Sequence, residues 1–223
     1  MVVSIFEVAG PVMVGPSSSH TAGAARLGRL ATLLLRQPFT HVSFGLHGSF
    51  ARTYRGHGTD LALVGGVLGL HQDDEEMRQS FRLAEERGIT YDFYPTDLGD
   101  SHENSVSIRF TLEDGSTTEV IGSSIGGGRV LITSIDGIRT ELTLDLPTLL
   151  VIYEDRPSML SRISSELAYC NINIAVMKCS RNAKGGLACA VIETDSPIPD
   201  FIQQNLTRLF GVQTALVINP AEA

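Results

Sequence analysis

The chain has 223 residues, enough for one large domain or two of ordinary size, and with 43% hydrophobic and 19% charged residues it is globular rather than disordered. A formal net charge of -8 argues against a nucleic-acid backbone as partner, which would need clustered Lys and Arg. No apolar run reaches the length of a membrane span and the N-terminus lacks a basic segment followed by an apolar one, so a cytoplasmic protein without membrane attachment is expected.

Ser4 to Val14 is a mostly apolar lead-in that ends at Gly15-Pro16. The stretch that organises the rest follows: Ser17, Ser18, Ser19, His20 and Thr21, a polar loop that feeds a helix over Ala24 to Arg36. Hydroxyls at a helix start either cap it or, with its free N–H groups, receive an anion. We read the stretch as the receptor for a small carboxylate, the alternative being a serine-rich cap with nothing bound. Pro38 stops the helix, and His41 to Leu46 alternates toward a strand.

A short helical piece to Arg55 leads into Gly56-His57-Gly58-Thr59-Asp60, and Thr59 or Asp60 can cap the helix that runs to Leu68. That helix contains Gly65, Gly66 and Gly69, which close approach of another backbone would explain. Gln72 to Arg87 patterns as a charged amphipathic helix and Ile89 to Tyr94 as a strand. The polar loop Asp97 to Asn104 carries Ser101-His102-Glu103-Asn104. Two hairpins follow, turning at Glu113 to Ser116 and at Asp136-Gly137, joined by a flexible or strained link at Ser123 to Gly128.

Asp145-Leu146-Pro147 marks the boundary between residues 1–146 and 148–220. The first part reads as α+β. The second reads strand 148–153, helix 158–169, strand 172–181, strand 186–194, helix 198–210 and strand 212–218, the βαββαβ order of a ferredoxin-like domain. Exposed strand edges suggest assembly without fixing its stoichiometry.

His20, His57 and His102 are flanked by Gly or polar residues, whereas His41, His47 and His71 have no such context and read as structural. Glycine on both sides of His57 leaves room for a ligand, Thr59 and Asp60 could orient its ring, and an imidazole suits proton abstraction at neutral pH. His102 and Asn104 add a donor pair. These loops form either one joint site or three unrelated turns. Cys170, Cys179 and Cys189 match neither a disulfide framework nor a metal knuckle and read as core thiols, so no metal is assigned to this chain.

The motifs Gly15 to Thr21, Gly56 to Asp60, Ser101-His102-x-Asn104 and Ser124 to Gly128 resemble, in order and spacing, the beta chain of the iron–sulfur-dependent L-serine dehydratases, over nearly the whole chain. Glu103 departs from the family, which usually has Pro there, and this puts the rigidity of that loop in question. The resemblance implies that residues 1–146 are similar to a substrate-binding module also found in some phosphoglycerate dehydrogenases. It implies that residues 148–220 are similar to an ACT domain, a regulatory module that pairs with its own copies.

It further implies an L-serine ammonia-lyase, a step of amino-acid catabolism yielding pyruvate and ammonia, with a [4Fe-4S] cluster held by a partner alpha chain. By that resemblance His57 is the candidate base, with His20 and His102 as further catalytic candidates. Ser17, Ser18, Ser19, Thr21, Thr59, Asp60 and Asn104 are candidate substrate ligands. In the ACT-like part Asp155, Pro157, Ser158, Asn171 and Asn173 are candidate effector ligands, with L-serine as a possible effector; plain turn and cap chemistry is the alternative there. Two rival readings stand beside this one: an anion-sensing regulatory subunit without catalytic residues, and a metal-dependent hydrolase using the three histidines with Asp60.

Overall fold

A computed structural model describes residues 16–35 and 37–219. The apolar lead-in, Gly15 and Arg36 lie outside the described residues. The chain divides into two compact units, the first through Asp136 and the second from Gly137. The division falls before the Asp145–Pro147 boundary expected from sequence, because strand β6 (Ile138–Leu142) packs against two strands of the second unit.

In the first unit a π-helical turn (Ser18–Ala22) runs straight into helix α1 (Gly23–Leu33). The serine run is therefore the first turn of a helix, not a loop before one. Ser17 caps it: its Oγ accepts the His20 N–H at 3.2 Å and its carbonyl accepts Thr21 N–H at 2.8 Å. Strand β1 (Phe39–Leu46), helix α2 (Gly48–His57), helix α3 (Thr59–Val67), a 3₁₀ turn (Glu75–Gln79) and helix α4 (Ser80–Glu86) follow. The continuous helix expected over 72–87 is broken in two. Asp74 caps the 3₁₀ turn through Glu76 N–H, and the Ser80 hydroxyl donates back to the Met77 carbonyl.

Strands β2 (Thr90–Pro95), β3 (Ser105–Leu112), β4 (Thr117–Gly126) and β5 (Arg129–Ile135) complete this unit, in the spatial order β2-β1-β3-β4-β5. Strand β2 runs parallel to β1 and the rest are antiparallel. Val42, Phe44 and Leu46 of β1, Ile108 and Phe110 of β3, and Leu27, Leu30 and Leu63 of the helices are all buried. Helices α1 and α3 meet through glycine: a Cβ on Gly66 would stand 2.1 Å from the Ala25 carbonyl oxygen. Ser123 to Gly126, expected as part of a flexible or strained link, belongs to β4, and Gly126, Gly127 and Gly128 all stand at positive φ.

In the second unit strands β7 (Thr148–Glu154), β8 (Ile174–Arg181), β9 (Leu187–Thr194) and β10 (Val212–Ile218) form an antiparallel sheet in the order β10-β7-β9-β8. With helices α5 (Met159–Tyr169) and α6 (Asp200–Thr207) this is the ferredoxin-like plan, so the chain is α+β throughout. Leu149, Val151, Ile163, Leu167, Ile192, Ile202 and Leu206 make its core. Strand β8 starts two residues later than expected because Asn171, at φ 55°, ends α5 in a left-handed cap with Ile172 N–H on the Leu167 carbonyl. Of the three thiols read as core, only Cys189 is buried; Cys170 is half-buried and Cys179 exposed. No helix among the described residues is long and apolar enough to cross a membrane.

Candidate functional site

Two of the three candidate histidines meet. His20 sits in the first helical turn and His57 is the last residue of α2, not a loop residue; Gly58, left-handed at φ 67°, ends that helix. Their ring centroids are 4.8 Å apart with the planes tilted by 35°. Thr21 ties the two motifs together, its hydroxyl donating to the His57 carbonyl at 3.2 Å.

His20 is held from both sides, by Ser17 Oγ at 3.4 Å from Nδ1 and by Ser49 Oγ at 3.2 Å from Nε2. Phe50 packs edge-on against it, with centroids 5.3 Å apart. Burial, and then the neighbouring His57, hold its imidazole below the ordinary value. His57 is oriented differently. Its Nδ1–H donates to the Thr53 carbonyl one turn earlier at 3.3 Å, which leaves the Nε2 lone pair without a partner among the described residues. Thr59 and Asp60, expected to orient this ring, form no hydrogen bond with it among the described residues. Asp60 Oδ1 accepts Leu61 N–H at 2.9 Å, and burial raises its carboxyl, opposed by that bond and by Arg55. Thr59 is fully buried, and its hydroxyl has no partner among the described residues.

The loop carrying His102 is fastened by its backbone. The Glu103 carbonyl accepts Ser49 N–H at 2.7 Å and Phe50 N–H at 3.4 Å, and the Asn104 carbonyl accepts Ser124 N–H at 2.9 Å. His102 itself is exposed, and its Nδ1 accepts the Asn104 N–H at 3.1 Å. The Asn104 Oδ1 atom is buried without a partner among the described residues. Ser18 and Ser19 are half-buried in the first turn. With His20 N–H taken by Ser17, their own N–H groups are the ones without a partner among the described residues.

Sequence reasoning assigns no role to Ser49 or Thr53. Ser49, Thr53 and His57 recur every four residues along α2, the spacing of one helix face, and extending the helical pattern past Arg55 would have shown it. Among the described residues no three His, Cys, Asp or Glu side chains converge around one point, so the three histidines with Asp60 do not form a metal shell. The thiols do not fit an iron–sulfur cluster either. All three lie in the second unit, Cys189 is buried with its thiol pushed up to about 11 by burial, and Cys179 lies beside Tyr153.

In the second unit, Ser158 stands at φ 70° directly before α5 and makes no side-chain cap there. Asp155 Oδ2 accepts from Arg181 at 2.8 Å and from Gly185 N–H at 3.1 Å, and Asn173 donates to Asp195. The five candidate effector residues thus include two left-handed positions, Ser158 and Asn171, and two side chains already engaged.

Residues 2–134 match the family described as serine dehydratase beta chain. A chain named L-serine dehydratase, beta chain, from Peptoniphilus asaccharolyticus is 44% identical over 211 residues, covering 94% of each chain. One from Bacillus subtilis, described as a probable L-serine dehydratase, beta chain, is 40% identical over 206 residues, covering 92% of this chain and 93% of that one. A D-3-phosphoglycerate dehydrogenase of Mycobacterium bovis is 30% identical over 122 residues, 54% of this chain and 23% of that enzyme.

Proposed function

Since the chain belongs to the serine dehydratase beta-chain family, we propose that it works as one subunit of a two-chain L-serine ammonia-lyase and lends its own side chains to a shared active site. The observation that carries this reading is the pairing of His20 and His57 at the serine-capped turn. The [4Fe-4S] cluster that the resemblance implies is assigned to the partner alpha chain, and the three thiols of this chain do not suit one. Ser17, Ser18, Ser19 and the N–H groups of their turn receive the substrate carboxylate, where the dipole of the helix favours an anion. His57 Nε2 takes the α-proton, its opposite nitrogen fixed on Thr53. His20, kept neutral by burial, supplies a hydrogen bond rather than a charge.

The ferredoxin-like unit acts as an ACT-type sensor that pairs with its own copy and binds an amino acid near Ser158 and Asn173. Its two left-handed loop positions mark places where backbone shape is held against local preference. The likeness to a phosphoglycerate dehydrogenase favours a second reading, in which the first unit binds an acid only as an effector.

Co-expression with the cluster-bearing chain separates the two. Pyruvate formed from L-serine by the complex, with none formed by the alpha chain alone and little by a complex carrying His57→Gln, supports shared catalysis. Full turnover by the alpha chain alone leaves only the sensing role. Calorimetry of the intact chain with L-serine, repeated with Asn173→Ala, tests the effector site.

A further inference from the structure

His47, which reads from sequence as structural, stands at the joint between β1 and α2, with its side chain only 16% exposed. It occupies the N-cap position of α2, yet its side chain makes no cap bond there. The Glu103 carbonyl already takes the Ser49 and Phe50 N–H groups, the donors that an N-cap side chain would meet. The imidazole is engaged elsewhere: its Nδ1 accepts the Leu98 N–H at 3.1 Å. A ring nitrogen that accepts carries the lone pair and not the proton. Asp97 Oδ1, at 3.7 Å from the same nitrogen, is beyond hydrogen-bond reach, and it accepts the Gly99 N–H instead.

The segment that carries His102 and Asn104 is tied to this joint at both ends by backbone bonds. Thr96 N–H donates to the Leu46 carbonyl, Ser49 N–H to the Glu103 carbonyl and His47 N–H to the Ser105 carbonyl. Any residue with a main-chain N–H at position 47 keeps these. Between the two ends the bonds are local to the loop: Ser101 Oγ donates to the Leu98 carbonyl, and Asn104 N–H to His102 Nδ1. Among the described residues, the hydrogen bond that fastens residues 97–102 from outside the loop is the one to His47 Nδ1. It is also the one whose existence depends on which side chain stands at position 47.

We propose that His47 is a positioning residue for substrate binding: by accepting the Leu98 N–H it holds the loop of residues 97–104 against the start of α2, in the place from which that loop meets the substrate. This rests on reading the chain as a serine-dehydrating subunit. The residue acts through the loop and touches no reacting atom. Without the bond the loop spends part of its time out of place, and affinity falls by the fraction of time lost. His57 is fastened to the Thr53 carbonyl within α2 and does not depend on this bond.

The test uses His47→Leu, which keeps bulk but removes the acceptor, and His47→Asn, whose Oδ1 can stand where Nδ1 does. The Glu103 carbonyl holds the N–H groups that would draw an Asn into capping, so its oxygen is left for Leu98. In the intact chain, amide exchange at Leu98 should be about three- to tenfold faster in His47→Leu, the equilibrium worth of one hydrogen bond, and near wild type in His47→Asn. In the two-chain complex, KM for L-serine should rise by about the same factor in His47→Leu. There kcat should stay within about twofold, because saturating substrate draws the loop back into place. His47→Asn should keep KM within about twofold of wild type even where its smaller side chain lowers the thermal midpoint, whereas a purely structural residue would move KM with the midpoint. A wild-type complex that forms no pyruvate from L-serine overturns the functional reading and this proposal with it. With wild type active, unchanged Leu98 exchange in His47→Leu, faster exchange with KM unchanged, or KM raised equally in both variants overturns the role of His47 and leaves the dehydratase reading intact.

Discussion

The imidazoles of His20 and His57, brought together from residues 37 positions apart, lie with centroids 4.8 Å apart and share no hydrogen bond among the described residues. Each is fastened to a different partner: His20 to Ser17 and Ser49, His57 to the Thr53 carbonyl. Burial, and then the neighbouring His57, hold the His20 imidazole below its ordinary value. The ring with an open lone pair is His57. Replacing it by Gln in the two-chain complex is expected to lower kcat about 10²–10⁴-fold, the usual worth of a general base. Circular dichroism should show the fold unchanged. Turnover near the wild-type level would remove His57 from proton transfer.

The lowered His20 value carries a stability consequence of definite sign. An unfolded chain returns this histidine to its ordinary value of 6.5, while the folded chain resists protonation because the ring is desolvated beside His57. Below about pH 6.5 the unfolded state then binds the extra proton, so this contribution to stability is complete above 6.5 and is lost as pH falls toward the folded-state value. Denaturant titrations of the isolated chain at pH 7.5 and 5.5 should show a smaller drop for His20→Gln than for wild type. Equal drops would show that His20 titrates normally in the folded chain.

Gly48 opens α2 at φ 56°, and a Cβ there would lie 2.7 Å from the Glu103 carbonyl oxygen and 2.8 Å from its Cα. Both obstacles are backbone and neither can swing away. Gly48→Ala combines left-handed strain with overpacking, and a loss of about 2 kcal/mol or more is expected, read as a lowered guanidinium midpoint. The same change should weaken L-serine turnover, since Ser49 N–H holds the His102 loop through that carbonyl. A midpoint equal to wild type would mean the loop moves aside at no cost.

Gly66→Ala tests the crossing of α1 and α3. The added Cβ meets the Ala25 oxygen at 2.1 Å, with Ala25 carbon atoms at 2.9 and 3.1 Å, so the helices must part. A destabilisation of about 3 kcal/mol is expected, at the upper end of overpacking costs. Gly69→Ala meets open space and only pays the strain of φ 92°, roughly 1–2 kcal/mol. Equal losses at the two positions would refute the close-approach account.

These two glycines also show what the sequence could tell. Close approach was legible at Gly66, because a glycine inside a helix has a cost that asks for a reason. Gly69 carries the same letter for a different reason, a left-handed turn after α3, and composition does not separate the two. Alternation exposed the β3–β4 hairpin and the βαββαβ order, since both are local patterns. The hydrogen bond from Ser49 to His20 joins residues far apart in the chain, which no periodicity reports. The glycines that flank His57 point to a loop, although Gly56 lies within α2 and only Gly58 ends it. The exposure of Cys179 follows from β8 standing at the edge of its sheet, a property of strand order and not of neighbouring letters.

Glu103 replaces the Pro that the family resemblance led us to expect, and the structure separates what its backbone does from what its side chain does. The carbonyl fastens the His102 loop to α2 through Ser49 and Phe50. Among the described residues the carboxylate pairs with Arg52 at 2.9 Å, and both side chains are largely open to solvent, at 72% and 64%. Exposed pairs of this kind contribute about 0–1 kcal/mol, and salt screens them further. Glu103→Ala keeps the carbonyl and loses only that pair, so the unfolding midpoint should shift within that range. By the same reasoning kcat/KM of the two-chain complex should stay within about twofold of wild type. A loss of tenfold or more would place the Glu103 carboxylate itself against the substrate or the alpha chain, because no bond it makes within this chain could account for it.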